Sequence, residues 1–304
     1  MSTSTTSPRL SKTASLARVG LVYLIAFGAA TVWLVWGPDT EWLWLDALIA
    51  DLIATVLVFA GSRTLHNSSC YDPYWSVLPP YLAVFWLVAA DTPGVEDGRA
   101  VLLLIVIFFW AIRLTGNWLY DWPGLHHEDF RYAPLRDGAG KLEAVVDFAA
   151  IHLFPTLIVF AALVPAYAVL ARPGDELNWL DGVALVIGIG AAVLQFVSDA
   201  QMRTFIKVRQ PGQAMESGLW AWSRHPNYFG EISFWFSLAF FGIAGSPEDW
   251  WWLLAGAVAM TVMFQAASIP MMEKRSLERR PNYQDVIDRI PRLVPRPPRR
   301  RTAA

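Results

Sequence analysis

The run Gly218-Leu219-Trp220-Ala221-Trp222-Ser223-Arg224-His225-Pro226-Asn227-Tyr228-Phe229-Gly230-Glu231 concentrates hydrogen-bonding groups just ahead of a long apolar stretch. Pro226 suits the first position of a helix, where its missing N–H costs nothing. Free N–H groups at a helix start attract anions, and Arg224 and His225 add positive charge beside them. The segment therefore reads as a phosphate seat. Asn227 and Glu231 are four apart and share one helix face. An amide and a carboxylate on one face can read a nicotinamide carboxamide or a ribose. A helix cap followed by an anchoring arginine uses the same residues, and spacing alone does not choose between the two.

Three further clusters can carry chemistry. Asp199 and Arg203 are again four apart, with Lys207 and Arg209 beyond. A carboxylate at the end of an apolar stretch is a functional candidate by default, or else half of an ion pair that closes the helix. The segment Arg113-Leu114-Thr115-Gly116-Asn117-Trp118 leads into Asp121-Trp122-Pro123-Gly124-Leu125-His126-His127-Glu128-Asp129-Phe130-Arg131-Tyr132. Adjacent residues do not converge on one metal ion, and no second histidine or carboxylate cluster accompanies them, so no metal site is expected. Glu128, Asp129 and Tyr132 stand instead as acid–base or substrate-orienting candidates, against a solvated loop. In Tyr71-Asp72-Pro73-Tyr74-Trp75-Ser76, aromatic rings surround one carboxyl group, as suits a flat apolar substrate with one polar end. Asp72 in such surroundings would have a raised pKa and could donate a proton. Asp46, Asp51 and His152 lie in or near apolar stretches, and Asp51 is the more suggestive, although no partner can be named for it.

The elements that must position these residues are membrane helices. Of the 304 residues, 55% are hydrophobic and only 16% are charged, against about 25% charged in soluble domains. The 16 tryptophans suit membrane interfaces. The single cysteine, Cys70, excludes an intrachain disulfide. Eight stretches approach the roughly 20 apolar residues that a spanning helix needs, near 19–36, 42–62, 76–90, 100–120, 146–170, 181–203, 230–246 and 250–270. The third and seventh are short. With the N-terminus inside, 22 of the 24 Lys and Arg fall on the cytoplasmic side, leaving Arg99 and Arg172 outside. Lys and Arg bias sets orientation. The expected fold is thus all-α: a polytopic transmembrane helical bundle of seven to eight membrane helices, both ends cytoplasmic. Residues 1–18 form a disordered start, 19–270 the membrane domain with a cofactor-binding segment at about 199–231, and 271–304 a basic tail. The apolar run after Arg18 is expected to be an uncleaved first helix and not a signal peptide.

The Ser223–Glu231 segment, the Asp199/Arg203 pair and the tail residues Met272-Glu273-Lys274-Arg275, Pro281-Asn282-Tyr283 and Pro291 together resemble the steroid 5-alpha-reductase superfamily. The match is closest to its bacterial branch of unassigned function, whose members carry runs like Arg113–Trp118 and His127–Tyr132. The resemblance covers most of the chain from about residue 67. It implies a membrane enzyme of the bacterial inner membrane that uses NADPH from the cytoplasm. Such enzymes saturate a carbon–carbon double bond conjugated to a carbonyl in a lipid-soluble substrate. By position, Asp199, Arg203, Asn227 and Glu231 match cofactor-binding residues, and Arg224, His225, Tyr228 and Glu273 extend that set.

One departure stands out. The steroid reductases carry a tyrosine shortly before the arginine that matches Arg113, where this chain has Phe108, Phe109 and Trp110. Asp72, Tyr120, Glu128, Asp129 or Tyr132 could take its place. Isoprenylcysteine carboxyl methyltransferases share the Arg-His-Pro segment and a Glu-bearing tail, so methyl transfer from S-adenosylmethionine is the alternative chemistry. A non-enzymatic membrane protein is the third. Glu231 favours the reductases. Membrane lipid and a lipid-soluble small molecule are the expected partners, with no nucleic acid and no obligate protein partner.

Overall fold

The computed structural model describes residues 10–92 and 94–297, and among them every regular element is helical. The principal helices are α1 (Lys12–Trp36), α2 (Leu43–Thr64), α3 (Tyr74–Ala89), α4 (Asp97–Asp121), α5 (Phe154–Ala171), α6 (Trp179–Val208), α7 (Pro226–Gly245), α8 (Ala255–Met263), α9 (Ile269–Arg279) and α10 (Tyr283–Arg289). Among the described residues, seven helical runs are long and apolar enough to cross a membrane: Lys12–Trp36, Leu43–Thr64, Asp97–Asp121, Gly140–Ala171, Trp179–Val208, Pro226–Gly245 and Pro247–Arg279. They indicate an integral membrane protein. The expected third stretch becomes α3, a 16-residue helix with Pro79 and Pro80 inside it. At 1.5 Å per residue it is about 24 Å long, short of a hydrocarbon core of about 30 Å.

The N-terminal boundary shifts. α1 begins at Lys12 and not at Val19, because the Ser11 side chain accepts the Ala14 N–H at 3.2 Å and caps the helix. The expected disordered start and the end of the basic tail lie outside the described residues for 1–9 and 298–304. The described part of the tail forms α9 and α10, followed by a non-helical stretch at 290–297.

The chain makes two compact units, one of residues up to Ala89 with Leu114–Phe160, the other of Ala90–Arg113 and everything from Ala161. The division falls within α4 and α5. In the first unit α1 packs on α2, and Gly61 permits it: a Cβ there would lie 2.4 Å from Val22 Cγ1. The Trp86 indole at the end of α3 donates to the Leu43 carbonyl at 3.3 Å. A π-helical turn, Asp147–Leu153, precedes α5 and turns Asp147 and His152 inward, both almost fully buried.

In the second unit, small residues let helices approach closely, as in other membrane bundles. Gly188 of α6 faces Val106 of α4 and Ser237 of α7, and Gly256 of α8 faces the Ala161 backbone of α5. Asn178 and Asp181 cap α6 reciprocally. Asp181 also receives Arg99 of α4, Nε to Oδ1 at 2.7 Å and Nη2 to Oδ2 at 3.0 Å. The same guanidinium donates to the carbonyls of Asp175 at 2.7 Å, Glu176 at 3.1 Å and Ala244 at 3.2 Å. Both side chains are 2% exposed. Arg172 pairs with Asp249 at 2.9 Å and lies over the Trp252 ring.

Candidate functional site

The second unit holds a buried polar knot built by α4, α6 and α7. Arg113 donates from Nη1 to Asp199 Oδ2 at 3.0 Å and from Nη2 to Gln195 Oε1. Its Nη2 also lies 4.0 Å from Glu231 Oε2. Glu231 accepts the Trp110 indole N–H at 3.0 Å and the Trp235 indole N–H at 3.1 Å. Trp110 is held flat against Phe234, with ring centroids 4.2 Å apart and an 8° interplanar angle. Gly230 makes room for Gln195, since a Cβ there would stand 2.6 Å from Gln195 Cγ. Two buried donors in this knot, Arg113 Nε and Gln195 Nε2, have no acceptor. A buried donor without a partner is costly, and a bound polar group would satisfy it.

The start of α7 is tied to the tail. Arg224 donates Nε to Glu273 Oε1 at 2.8 Å, Nη1 to the Ile287 carbonyl at 2.9 Å, and Nη1 again to the Ile290 carbonyl. Its backbone N–H reaches the Pro291 carbonyl at 2.9 Å, and Ser223 Oγ donates to the Leu293 carbonyl at 2.7 Å. Arg224 thus clamps the tail with the same donors that the sequence suggests for a phosphate. His225 is stacked on Tyr228, centroids 5.5 Å apart, and its Nε2 lies 3.4 Å from Glu273 Oε1. Burial lowers the His225 pKa, and Glu273 opposes that shift. Asn227, half-buried, accepts the Tyr228 N–H at 3.0 Å. Arg203 is half-buried on α6, and its charge bears on Arg113. The nearby Gly218 has φ +60, and a Cβ there would stand 2.5 Å from Gln201 Oε1, the acceptor of the Leu219 N–H.

The first unit holds a separate buried network. Tyr74 donates its hydroxyl to Asp51, at 2.8 Å to Oδ1 and 3.0 Å to the carbonyl. Thr55 lies 3.4 Å from Asp51 Oδ1 and shares a 2.9 Å hydrogen bond with Thr156, which shares another of 2.8 Å with the Tyr71 hydroxyl. Asp51 is fully buried, and its Oδ2 has no partner.

Of the candidates in this unit, Asp72 and Tyr132 come together: the Tyr132 hydroxyl donates to Asp72 Oδ1. Burial pushes the Asp72 carboxyl up to about 7, although the Tyr132 hydrogen bond opposes the shift. Glu128 and Asp129 each pair with an arginine. Glu128 accepts the Ser68 N–H at 2.7 Å and pairs with Arg136, which holds its pKa down against the effect of burial. Asp129 accepts from Arg131, at 2.9 Å from the backbone N–H and 2.8 Å from Nε. Among the described residues no group of three or more His, Cys, Asp or Glu could hold a metal ion.

The raised Asp72 pKa has a consequence for stability. Between about pH 4 and 7 the folded chain keeps a proton on Asp72 that the unfolded chain has released. This group's contribution is most favourable below pH 4 and declines as pH rises through that window. Asp72→Asn should remove that part of the slope, read from unfolding free energies across pH 4–7. An unchanged slope in the variant would rule out the assignment.

The sequence profile of a family described as "Protein of unknown function (DUF1295)" matches residues 58–290. An uncharacterized protein of Schizosaccharomyces pombe is 26% identical over 272 residues, covering 82% of this chain and 78% of that protein. No solved structure matches at a significant level.

Proposed function

The chain belongs to the DUF1295 family of proteins of unknown function, and from that premise we propose that it is a membrane-embedded, NADPH-dependent reductase of a carbon–carbon double bond conjugated to a carbonyl in an apolar substrate. The observation that carries this reading is the knot around Arg113. It offers two buried donors without acceptors, Arg113 Nε and Gln195 Nε2, beside the carboxylates of Asp199 and Glu231. Donors of this kind suit a carboxamide oxygen, and carboxylates suit ribose hydroxyls. Asp199, Glu231, Asn227 and Arg203 are the positions at which the chain resembles cofactor-binding enzymes.

When bound, NADPH would supply a hydride to the β carbon of the substrate. The Arg113 knot holds and orients the cofactor. A proton from water completes the addition at the α carbon.

Thermal stabilisation of the purified chain by each cofactor tests the reading. A ligand at 100 times its Kd adds about 2.7 kcal/mol. NADPH should raise the melting temperature, and Glu231→Gln should abolish the rise. Stabilisation by S-adenosylmethionine and not by NADPH would transfer the chain to the methyltransferases.

Both termini are proposed to lie in the cytoplasm, with α3 making the eighth pass beside the seven long runs. Local thinning of the bilayer accommodates a short helix at modest cost. Cysteines introduced at Ser217 and at Asp249 should then label from opposite faces of the membrane. Labelling of both from one face would break this arrangement.

A further inference from the structure

Five oxygen-bearing side chains meet inside the first unit. Asp51 and Thr55 come from α2, Tyr71 from the turn before α3, Tyr74 from α3 and Thr156 from α5. Each is at most 4% exposed. The Thr55 hydroxyl stands 3.4 Å from both Asp51 Oδ1 and the Tyr74 hydroxyl, and 2.9 Å from the Thr156 hydroxyl. The Tyr71 hydroxyl lies 2.8 Å from that of Thr156, and the Tyr74 hydroxyl lies 2.8 Å from Asp51 Oδ1. Four hydroxyls thus gather at one carboxyl group, within a run able to cross a membrane, Leu43–Thr64. A carboxyl group inside such a run is a functional-site candidate by default.

Among the described residues no cationic side chain pairs with Asp51. His152 packs edge-on against the Tyr71 ring, with 5.0 Å between centroids, but both of its nitrogens are engaged. Nδ1 lies 3.1 Å from the Asp147 carbonyl, and Nε2 lies 3.1 Å from Ser62 Oγ. A buried carboxylate calls for a paired charge or a bound metal. Asp51 Oδ2 has no hydrogen-bond partner. A proton placed on Oδ2 would not cure this, because the new O–H would have no acceptor in reach. A metal ion would. Oxygens sharing one ion the size of Ca²⁺ sit about 2.3–2.6 Å from it, and so stand farther from one another than hydrogen-bonded oxygens do. That spacing fits an Oδ2 out of hydrogen-bond reach of hydroxyls that stand 2.8 and 3.4 Å from its twin, Oδ1.

The charge of the cluster selects the ion. One carboxylate with four neutral hydroxyls balances a single positive charge, and oxygen donors suit a hard cation. Na⁺ has nearly the radius of Ca²⁺ and half its charge, whereas K⁺ is larger and calls for more oxygens. We infer that Asp51, Thr55, Tyr71, Tyr74 and Thr156 form a sodium site. The ion joins α2, α3 and α5, and makes the stability of the first unit sodium-dependent. The site does not depend on the activity proposed above.

The full chain, purified in detergent, is unfolded by heat in NaCl, KCl and choline chloride at equal ionic strength, and equilibrium dialysis against radioactive sodium counts bound ions. One ion should bind per chain. NaCl should raise the melting temperature above the values in KCl and in choline chloride, each tenfold rise in sodium above Kd multiplying the folded-to-unfolded ratio by about ten. Thr156→Val keeps the shape, removes one oxygen, and should weaken sodium binding by about tenfold. Asp51→Asn should abolish it. Equal melting temperatures in NaCl and KCl, or no retained sodium, would overturn the proposal with the unsubstituted chain alone, so a variant that fails to fold does not shield it. Sodium retained by folded Asp51→Asn would place the ion elsewhere and also overturn it. So would a melting temperature that follows pH and not sodium, which would make Asp51 a proton site only.

Discussion

Replacing Arg99 with alanine should cost the fold about 3–5 kcal/mol, the range for removing one partner of a buried ion pair. The size follows from what is left behind. Asp181 would keep a carboxylate in a site that is 2% exposed, and the carbonyls of Asp175, Glu176 and Ala244 would lose a charged donor. Folded domains are stable by only about 5–15 kcal/mol in total. Denaturant unfolding in mild detergent should show the loss, and less folded protein should reach the membrane. The double change Arg99→Met with Asp181→Leu should recover part of it, because apolar replacements leave no buried charge. A loss below 1 kcal/mol for Arg99→Ala would mean that the pair is hydrated.

The second large effect concerns Asp51 and Tyr74. Tyr74→Phe removes the closest partner of the Asp51 carboxyl and leaves that buried group short of a donor. The stability loss should be about 1–3 kcal/mol, the cost of an unmade buried hydrogen bond, read from denaturant unfolding in mild detergent. Asp51→Asn keeps the volume and alters the hydrogen bonding, and should act in the same direction. Wild-type stability in both variants would mean that the network contributes nothing to the fold.

The long helices were legible because length and apolarity are local properties. The third stretch was legible as short for the same reason, and it becomes α3. The start of α1 was not legible: Lys12 and Arg18 look like a flanking polar segment until Ser11 is seen to cap the helix that contains them. At the candidate site, spacing finds partners four apart on one helix and misses the rest. It linked Asp199 to Arg203 and could not reach Arg113, 86 residues earlier, which donates to Asp199. Gln195 falls on the same face of α6 as Asp199 and Arg203, so the period of the helix could have drawn it in. Glu128 and Asp129 carried the right chemistry for acid–base work, and spacing gave no sign that Arg136, on the short helix Tyr132–Asp137, and Arg131 pair with them. Asp51 and Tyr74 are 23 residues apart across a turn, and no periodicity links them.

The Arg99 anchor also bears on how the chain is made. Asp181 emerges from the ribosome 82 residues after Arg99, and Ala244 emerges 145 residues after it. At about 5–20 residues per second, these delays are about 4–16 s and about 7–29 s. For 76 residues, until the Asp175 carbonyl emerges, a guanidinium bound for a buried position has none of its final acceptors. The leading end of α4 must wait in water or in the translocation machinery until α6 arrives. Its seating is therefore a late event in biogenesis, and a chain interrupted between α4 and α6 would carry an unsatisfied charge that quality-control proteases can detect.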